Sequence, residues 1–184
     1  MSGTNAGADG RIGLNPVSAY LALGSNLGER EQHLIDAIGN IGRETGNITA
    51  VSSIYETAAK YVIDQPDFLN MVLVIETALT PIDLLIKCKE IEKRMGRDFT
   101  VKRFGPRVID IDILFYGSEV IFYEDLVIPH PKINERRFVL EPLYELNKKF
   151  VCPKSGKTIK TLLRECKDQG RIEKISSSIS VISR

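Results

Sequence analysis

The stretch from residue 103 to 116, RFGPRVIDIDILFY, constrains the fold more than any other part of the chain. Residues 108–115 are rich in β-branched side chains and alternate in character, which predicts a strand. Ile109, Ile111, Ile113 and Phe115 then share one face, and Val108, Asp110, Asp112 and Leu114 share the other. On a strand, Asp110 and Asp112 point the same way with Cα atoms roughly 6.5–7 Å apart. On a helix they would diverge by about 200°. Two carboxylates so placed repel each other unless a cation lies between them. The candidates are the nearby arginines or a divalent metal. Hard oxygen ligands favour Mg²⁺, which takes one or two protein carboxylates and leaves its other positions to water and phosphate.

At 184 residues the chain is long enough for one domain with a sizeable core. The expected layout is a flexible tail over 1–16, a single domain over 17–175 and a second flexible tail over 176–184. Strands are predicted over 17–23, 48–56 and 68–77. A helix over 28–42 carries the stripe Leu27, Leu34, Ile38 and Ile41. A second helix opens at Thr80-Pro81 and stops at Gly96. With the 108–115 strand, the order is β-α-β-β-α-β, which suits a ferredoxin-like α/β (α+β) sheet with helices on one face. Beyond it are expected a short strand over 120–123, a stiff extended loop at 128–131 and a helix over 134–146 interrupted by Pro142. A short helical stretch near 158–166 completes the C-terminal additions.

Composition narrows the function classes. A net charge of +1 argues against a nucleic-acid protein held by bulk charge, so any basic site must be local. No apolar run approaches the roughly 20 residues needed to cross a bilayer, and the first 16 residues hold no signal-peptide core. Cys88, Cys152 and Cys166 are odd in number and lack metal-binding spacing, which suits reduced thiols in a cytoplasmic protein.

The unusual residues gather in three irregular segments, 57–70, 97–107 and 128–138, and long loops of this kind tend to carry function. Arg97, Lys102, Arg103 and Arg107 form either a solvated basic loop or a clamp for polyphosphate, whose oxygens the guanidinium fork matches. Phe68 and Asn70 share a strand face. Phe68 alone suits a core, but an amide beside it needs partners and can meet the donor–acceptor edge of a heterocycle. Phe138 is a second possible stacking face. His130 is held between two prolines, and Glu92 reads most simply as a helix-surface acid. There is no Walker lysine and no kinase-type glycine loop.

Four motifs, taken together, resemble a known family. Leu23-Gly24-Ser25-Asn26-Leu27-Gly28, Asp64-Gln65-Pro66-Asp67-Phe68-Leu69-Asn70, the run from Gly105 to Asp112, and Pro129-His130-Pro131 followed by Arg136-x-Phe138 are similar to the 6-hydroxymethyl-7,8-dihydropterin pyrophosphokinases of folate biosynthesis. The resemblance covers about residues 17–146. It implies transfer of a pyrophosphoryl group from ATP to the pterin hydroxymethyl group, with release of AMP. Asp110 and Asp112 would hold two Mg²⁺ ions bridging the ATP phosphates, and Arg97 and Arg107 would act on the transferring group. Phe68 and Phe138 would sandwich the pterin, Thr57 and Asn70 would read its edge, and the backbone from Ala58 to Lys60 would complete the pocket. Glu92, Arg103, His130 and Arg136 fall at ATP-contacting positions, and Ile113 at an adenine-contacting one. A cytoplasmic monomer is expected, with ATP and the pterin as partners and neither nucleic acid nor membrane. There are two rivals: a metal-dependent phosphodiesterase or nuclease using the same Asp pair, or a non-catalytic ligand-binding module, since this fold hosts many functions.

Overall fold

A computed structural model describes residues 15–60, 64–100 and 105–175. Nearly all of both expected tails, and Arg103, lie outside the described residues. The centre is a six-stranded sheet built on β1 (Val17–Ser25), which pairs antiparallel with β4 (Phe68–Thr77) on one side and β5 (Asp110–Tyr116) on the other. β2 (Asn47–Val51) and β3 (Tyr55–Thr57) both pair with β4, and β8 (Ile172–Lys174) pairs with β3. The interleaving of β1, β4 and β5 is that of the expected ferredoxin-like sheet.

The single strand predicted over 48–56 is two strands. At the break the Ser52 Oγ, rather than a carbonyl, accepts from the Val72 N–H at 2.9 Å, so a side chain replaces one rung of the ladder. The Ser53 N–H and hydroxyl then turn to Glu145 Oε1, at 3.0 and 2.9 Å.

Helices α1 (Arg30–Glu44) and α2 (Pro81–Arg94) cover one face of the sheet. There Leu34, Ile38, Ile41, Leu84, Cys88 and Ile91 pack on Leu21, Leu23, Leu73, Ile75 and Ile111. Thr80 caps α2 by accepting from the Asp83 N–H at 3.2 Å, and Gly96 ends it at φ +91°, as the sequence suggests. Leu27, expected on the α1 stripe, precedes the helix and is 37% exposed.

The other face also carries helices, contrary to the expectation of one covered face. α3 (Arg137–Asn147) and α4 (Ile159–Glu165) pack on Tyr20, Val72, Val74, Leu114 and Phe115. α3 runs unbroken through Pro142, because Val139, Leu140, Pro142 and Leu143 are all buried and packing outweighs the helix-breaking tendency of proline. A 3₁₀ turn, Ile133–Glu135, precedes it, so the helix starts later than residue 134.

Phe115 does not share a face with the isoleucines. The β1–β5 register pairs Tyr20 with Phe115 but Leu21 with Ile113, leaving Leu114 as an extra, bulged residue. Leu114 and Phe115 both enter the α3 side, while Ile109, Ile111 and Ile113 stay on the α1–α2 side. The Leu114 carbonyl accepts from the His130 N–H at 3.0 Å, which seats the 128–131 loop against β5. That loop begins in a two-stranded ribbon of β6 (Ile121–Phe122) and β7 (Val127–Ile128), so the expected strand over 120–123 is present but shorter. Among the described residues, no helix is long and apolar enough to cross a membrane.

Candidate active site

β1 forms the floor of the site. On the α3 side, Gly24 lies between Asn70 of β4 and Asp110 of β5, and Ala22 lies between Val72 and Asp112. Polar groups on the flanking strands therefore rise on either side of a central strand with almost no side chain. A Cβ on Gly24 would stand 3.1 Å from Asn70 Oδ1 and 3.8 Å from the Phe68 ring. Above this floor, beside the first turn of α3, is a cavity of about 480 Å³, a volume suited to a small molecule.

One end of the cavity has the character of a heterocycle site. Asn70 and Thr57 are 7% and 5% exposed, and the Asn70 amide donates to the Thr57 hydroxyl at 2.8 Å. Phe68 and Phe138, both half-buried, line the same space with Ala58 and Lys60.

The other end is charged. Arg97 Nη1 contacts Asp110 Oδ1 at 2.5 Å, and Arg107 Nη1 contacts Asp110 Oδ2 at 2.8 Å. Arg136 Nη1 contacts Asp112 Oδ2 at 3.1 Å, with His130 Nε2 at 3.7 Å from the same oxygen. Arginines thus lie on both carboxylates. Burial works to raise the Asp110 pKa, but Arg97, Arg107 and Lys89 outweigh it and hold the carboxyl below its ordinary range. Burial lowers the His130 pKa, assisted by Arg136 and Lys132 against Asp112 and Asp110. His130 is therefore neutral at pH 7. Its Nδ1 accepts from the Lys132 N–H at 3.2 Å, which leaves the ring proton on Nε2, facing Asp112.

A single buried amide joins two of the irregular segments. Asn26, 1% exposed, donates to Gln65 Oε1 at 3.1 Å and to the Pro66 carbonyl at 3.0 Å. Its own Oδ1 accepts from the Arg107 N–H at 2.8 Å. The segment before β4 and the segment before β5 thus converge on one side chain at the end of β1.

Twelve of the expected residues line this cavity: Thr57, Ala58, Lys60, Phe68, Asn70 and Phe138, and Arg97, Arg107, Asp110, Asp112, His130 and Arg136. Two do not. Ile113 is 4% exposed in the core on the α1–α2 side, because the two-residue period that aims Asp112 at the cavity aims its neighbour away. Glu92 is not a helix-surface acid but is 0% exposed, lying beneath the cavity floor. It accepts from the Ile111 N–H at 2.6 Å and ion-pairs with Lys89 at 2.9 Å and Arg97 at 2.6 Å. Burial raises its pKa against the pull of Lys89 and Arg97.

Sequence reasoning missed Lys89, Phe99 and Gly24, which also line the cavity. Gly24 reads as a strand terminator, yet β1 continues through it to Ser25. The spacing of Lys89 from Glu92, one helical turn, was the available signal for that lysine.

A model of the family 7,8-dihydro-6-hydroxymethylpterin-pyrophosphokinase matches residues 20–148. The chain is 46% identical over 129 residues to the 2-amino-4-hydroxy-6-hydroxymethyldihydropteridine pyrophosphokinase of Bacillus subtilis, covering 70% of this chain and 77% of that one. It is 38% identical over 158 residues to the enzyme of the same name from Haemophilus influenzae, covering 85% and 98%. It is also 40% identical over 151 residues to the folic acid synthesis protein fol1 of Pneumocystis carinii, covering 82% of this chain but spanning only 20% of that much longer protein. Among solved structures, the wild-type HPPK-DHPS of Plasmodium falciparum shares the fold, with a TM-score of 0.65 at 17% identity over 82% of this chain and 44% of that one. The chain belongs to the 7,8-dihydro-6-hydroxymethylpterin-pyrophosphokinase family.

Proposed function

We propose that this chain transfers pyrophosphate from ATP to the hydroxymethyl group of 6-hydroxymethyl-7,8-dihydropterin, giving AMP and the dihydropterin diphosphate for folate synthesis. The observation that carries the site assignment is the row Asn70–Gly24–Asp110, which sets an amide for a heterocycle edge and a carboxylate for a phosphate-bound cation on one open floor. Family membership supplies the reaction.

The pterin ring lies between Phe68 and Phe138, with Asn70 and Thr57 on its polar edge. This aims the hydroxymethyl oxygen toward Asp110. That oxygen attacks the β-phosphorus of ATP in line; the new O–P bond forms as the bond to the α-phosphate oxygen breaks, and AMP leaves. Such a transfer needs alignment and charge neutralisation more than covalent help. Arg97 and Arg107 exchange Asp110 for phosphate oxygens as ATP arrives, neutralising charge that grows in the transition state. Arg136 has a buried Nε with no partner among the described residues, a donor suited to a phosphate oxygen. Neutral His130 presents its Nε2 proton beside it, so both serve the nucleotide.

The donor set fits Mg²⁺. Asp110 and Asp112 offer only hard oxygens. Among the described residues there is no cluster of three or more His, Cys, Asp or Glu side chains, as suits an ion that takes most of its shell from phosphate and water. Two ions held by these two carboxylates would neutralise the triphosphate and polarise its reacting oxygens. The three free cysteines, Cys88, Cys152 and Cys166, support a cytoplasmic enzyme.

The test is AMP release from ATP and Mg²⁺ with and without the dihydropterin. Pterin-dependent AMP supports the reading. AMP formed equally without pterin would indicate hydrolysis, and none in either case a binding module.

A further inference from the structure

The family match ends at residue 148, yet the chain beyond it returns to residues that line the cavity, Thr57 and Lys60. β8 lies antiparallel to β3, with Ile172 opposite Thr57. Shortly before β8, Asp168 Oδ2 accepts from Lys60 Nζ at 2.8 Å and from the Arg137 backbone N–H at 3.2 Å. Asp168 Oδ1 accepts from the Gly170 N–H at 3.1 Å, a local turn that fixes the carboxylate. Lys60 also donates to the Glu135 carbonyl.

These contacts meet a need of α3. Its N-cap residue, Arg136, makes no side-chain cap bond. The first N–H groups of a helix have no acceptor within the helix and favour an anion. Asp168 is that anion, although it lies 31 residues away in sequence. Its side chain is 12% exposed. Burial raises its pKa, but the Lys60, Gly170 and Arg137 hydrogen bonds outweigh this and keep the carboxyl ionised.

Lys60 belongs to the segment that follows β3, and Phe138 follows Arg137 at the start of α3; both line the heterocycle end of the cavity. We propose that Asp168 is a positioning residue for the pterin. By holding Lys60 and the Arg137 N–H on one oxygen, it fixes the spacing between the 57–60 segment and Phe138. The C-terminal segment is thereby part of the substrate site, an inference that rests on the pterin assignment above.

The test uses the full chain and measures three quantities: dihydropterin Kd by titration, ATP Kd and Tm. Asp168→Ala is expected to weaken pterin binding about tenfold while leaving ATP binding within about twofold. Asp168→Asn keeps an acceptor for the Arg137 N–H but loses the charge opposite Lys60, so it should fall between; it also carries the comparison should the alanine variant not fold. Lys174→Ala breaks a different β8 contact, to Glu145 Oε2 at 3.3 Å, and should bind pterin like wild type. Unchanged pterin binding in both Asp168 variants, equal loss for pterin and ATP, or the same loss in Lys174→Ala would overturn the proposal. Asn70→Ala separates the two levels. If it weakens pterin binding while the Asp168 variants do not, only the positioning role fails; if it too has no effect, the pterin assignment itself fails.

Discussion

Gly24 and Asn70 face each other across the β1–β4 ladder, and a Cβ on Gly24 would come within 3.1 Å of the Asn70 amide oxygen. Gly24→Ala should therefore displace the amide by a few tenths of an ångström without disturbing the strand. Pterin affinity should fall about tenfold, as expected when one polar group on a heterocycle edge is mispaired. ATP affinity should hold. A titration of each ligand checks this; equal losses would mean that the sheet, not the amide, had moved.

Arg107 contacts Asp110, and its backbone N–H is held by Asn26. If the guanidinium acts on charge that develops during transfer, Arg107→Ala should lower kcat by about 10²–10³. The pterin Kd should change by no more than about threefold. Steady-state kinetics beside pterin titration makes the comparison, and parallel losses would contradict the role.

Glu92 is buried beneath the site with Lys89, Arg97 and the Ile111 N–H on its carboxylate. Glu92→Ala strands the buried Ile111 N–H and takes one of two carboxylates from Arg97, which keeps Asp110, and should destabilise the fold by about 1–3 kcal/mol. Glu92→Gln keeps an acceptor and should lose distinctly less. Denaturant unfolding reads both; equal losses would show that the negative charge, not the acceptor role, matters.

His130 has a lowered pKa because it is buried, with Arg136 and Lys132 adding to the effect against Asp112 and Asp110. The unfolded chain therefore takes up this proton first. The contribution of neutral His130 is present above the unfolded pKa of about 6.5 and is lost as pH falls through the folded value. His130→Gln should flatten the stability–pH curve below about pH 6.5, by at most about 1.4 kcal/mol per pH unit. Superimposable curves for the two proteins would contradict the assignment.

Much of this was legible in the sequence where a local period carries the information. A two-residue period aims Asp110 and Asp112 together and places Asn70 beside Phe68, and both pairs line the cavity. The same period misplaces Phe115, because a bulge inserts Leu114 and no local pattern announces an extra residue. Glu92 was misjudged for a different reason: a charged residue on a helix reads as solvated, and the partners that bury it come from Arg97 and β5. Pro142 shows tertiary packing overriding a local signal. β8 has three residues and no apolar alternation, so its pairing with β3 exists only once the sheet is built.

In the proposed site one floor presents the heterocycle to Asn70 and the phosphates to Asp110 and Asp112. A crystal structure with the dihydropterin, Mg²⁺ and a non-hydrolysable ATP analogue tests it most directly. The predicted result has the ring between Phe68 and Phe138 with its edge on Asn70, metal ions about 2.0–2.1 Å from oxygens of Asp110 and Asp112, and Arg97 and Arg107 moved onto phosphate. A ring bound elsewhere, or carboxylates still paired with those arginines and turned away from the triphosphate, would contradict it.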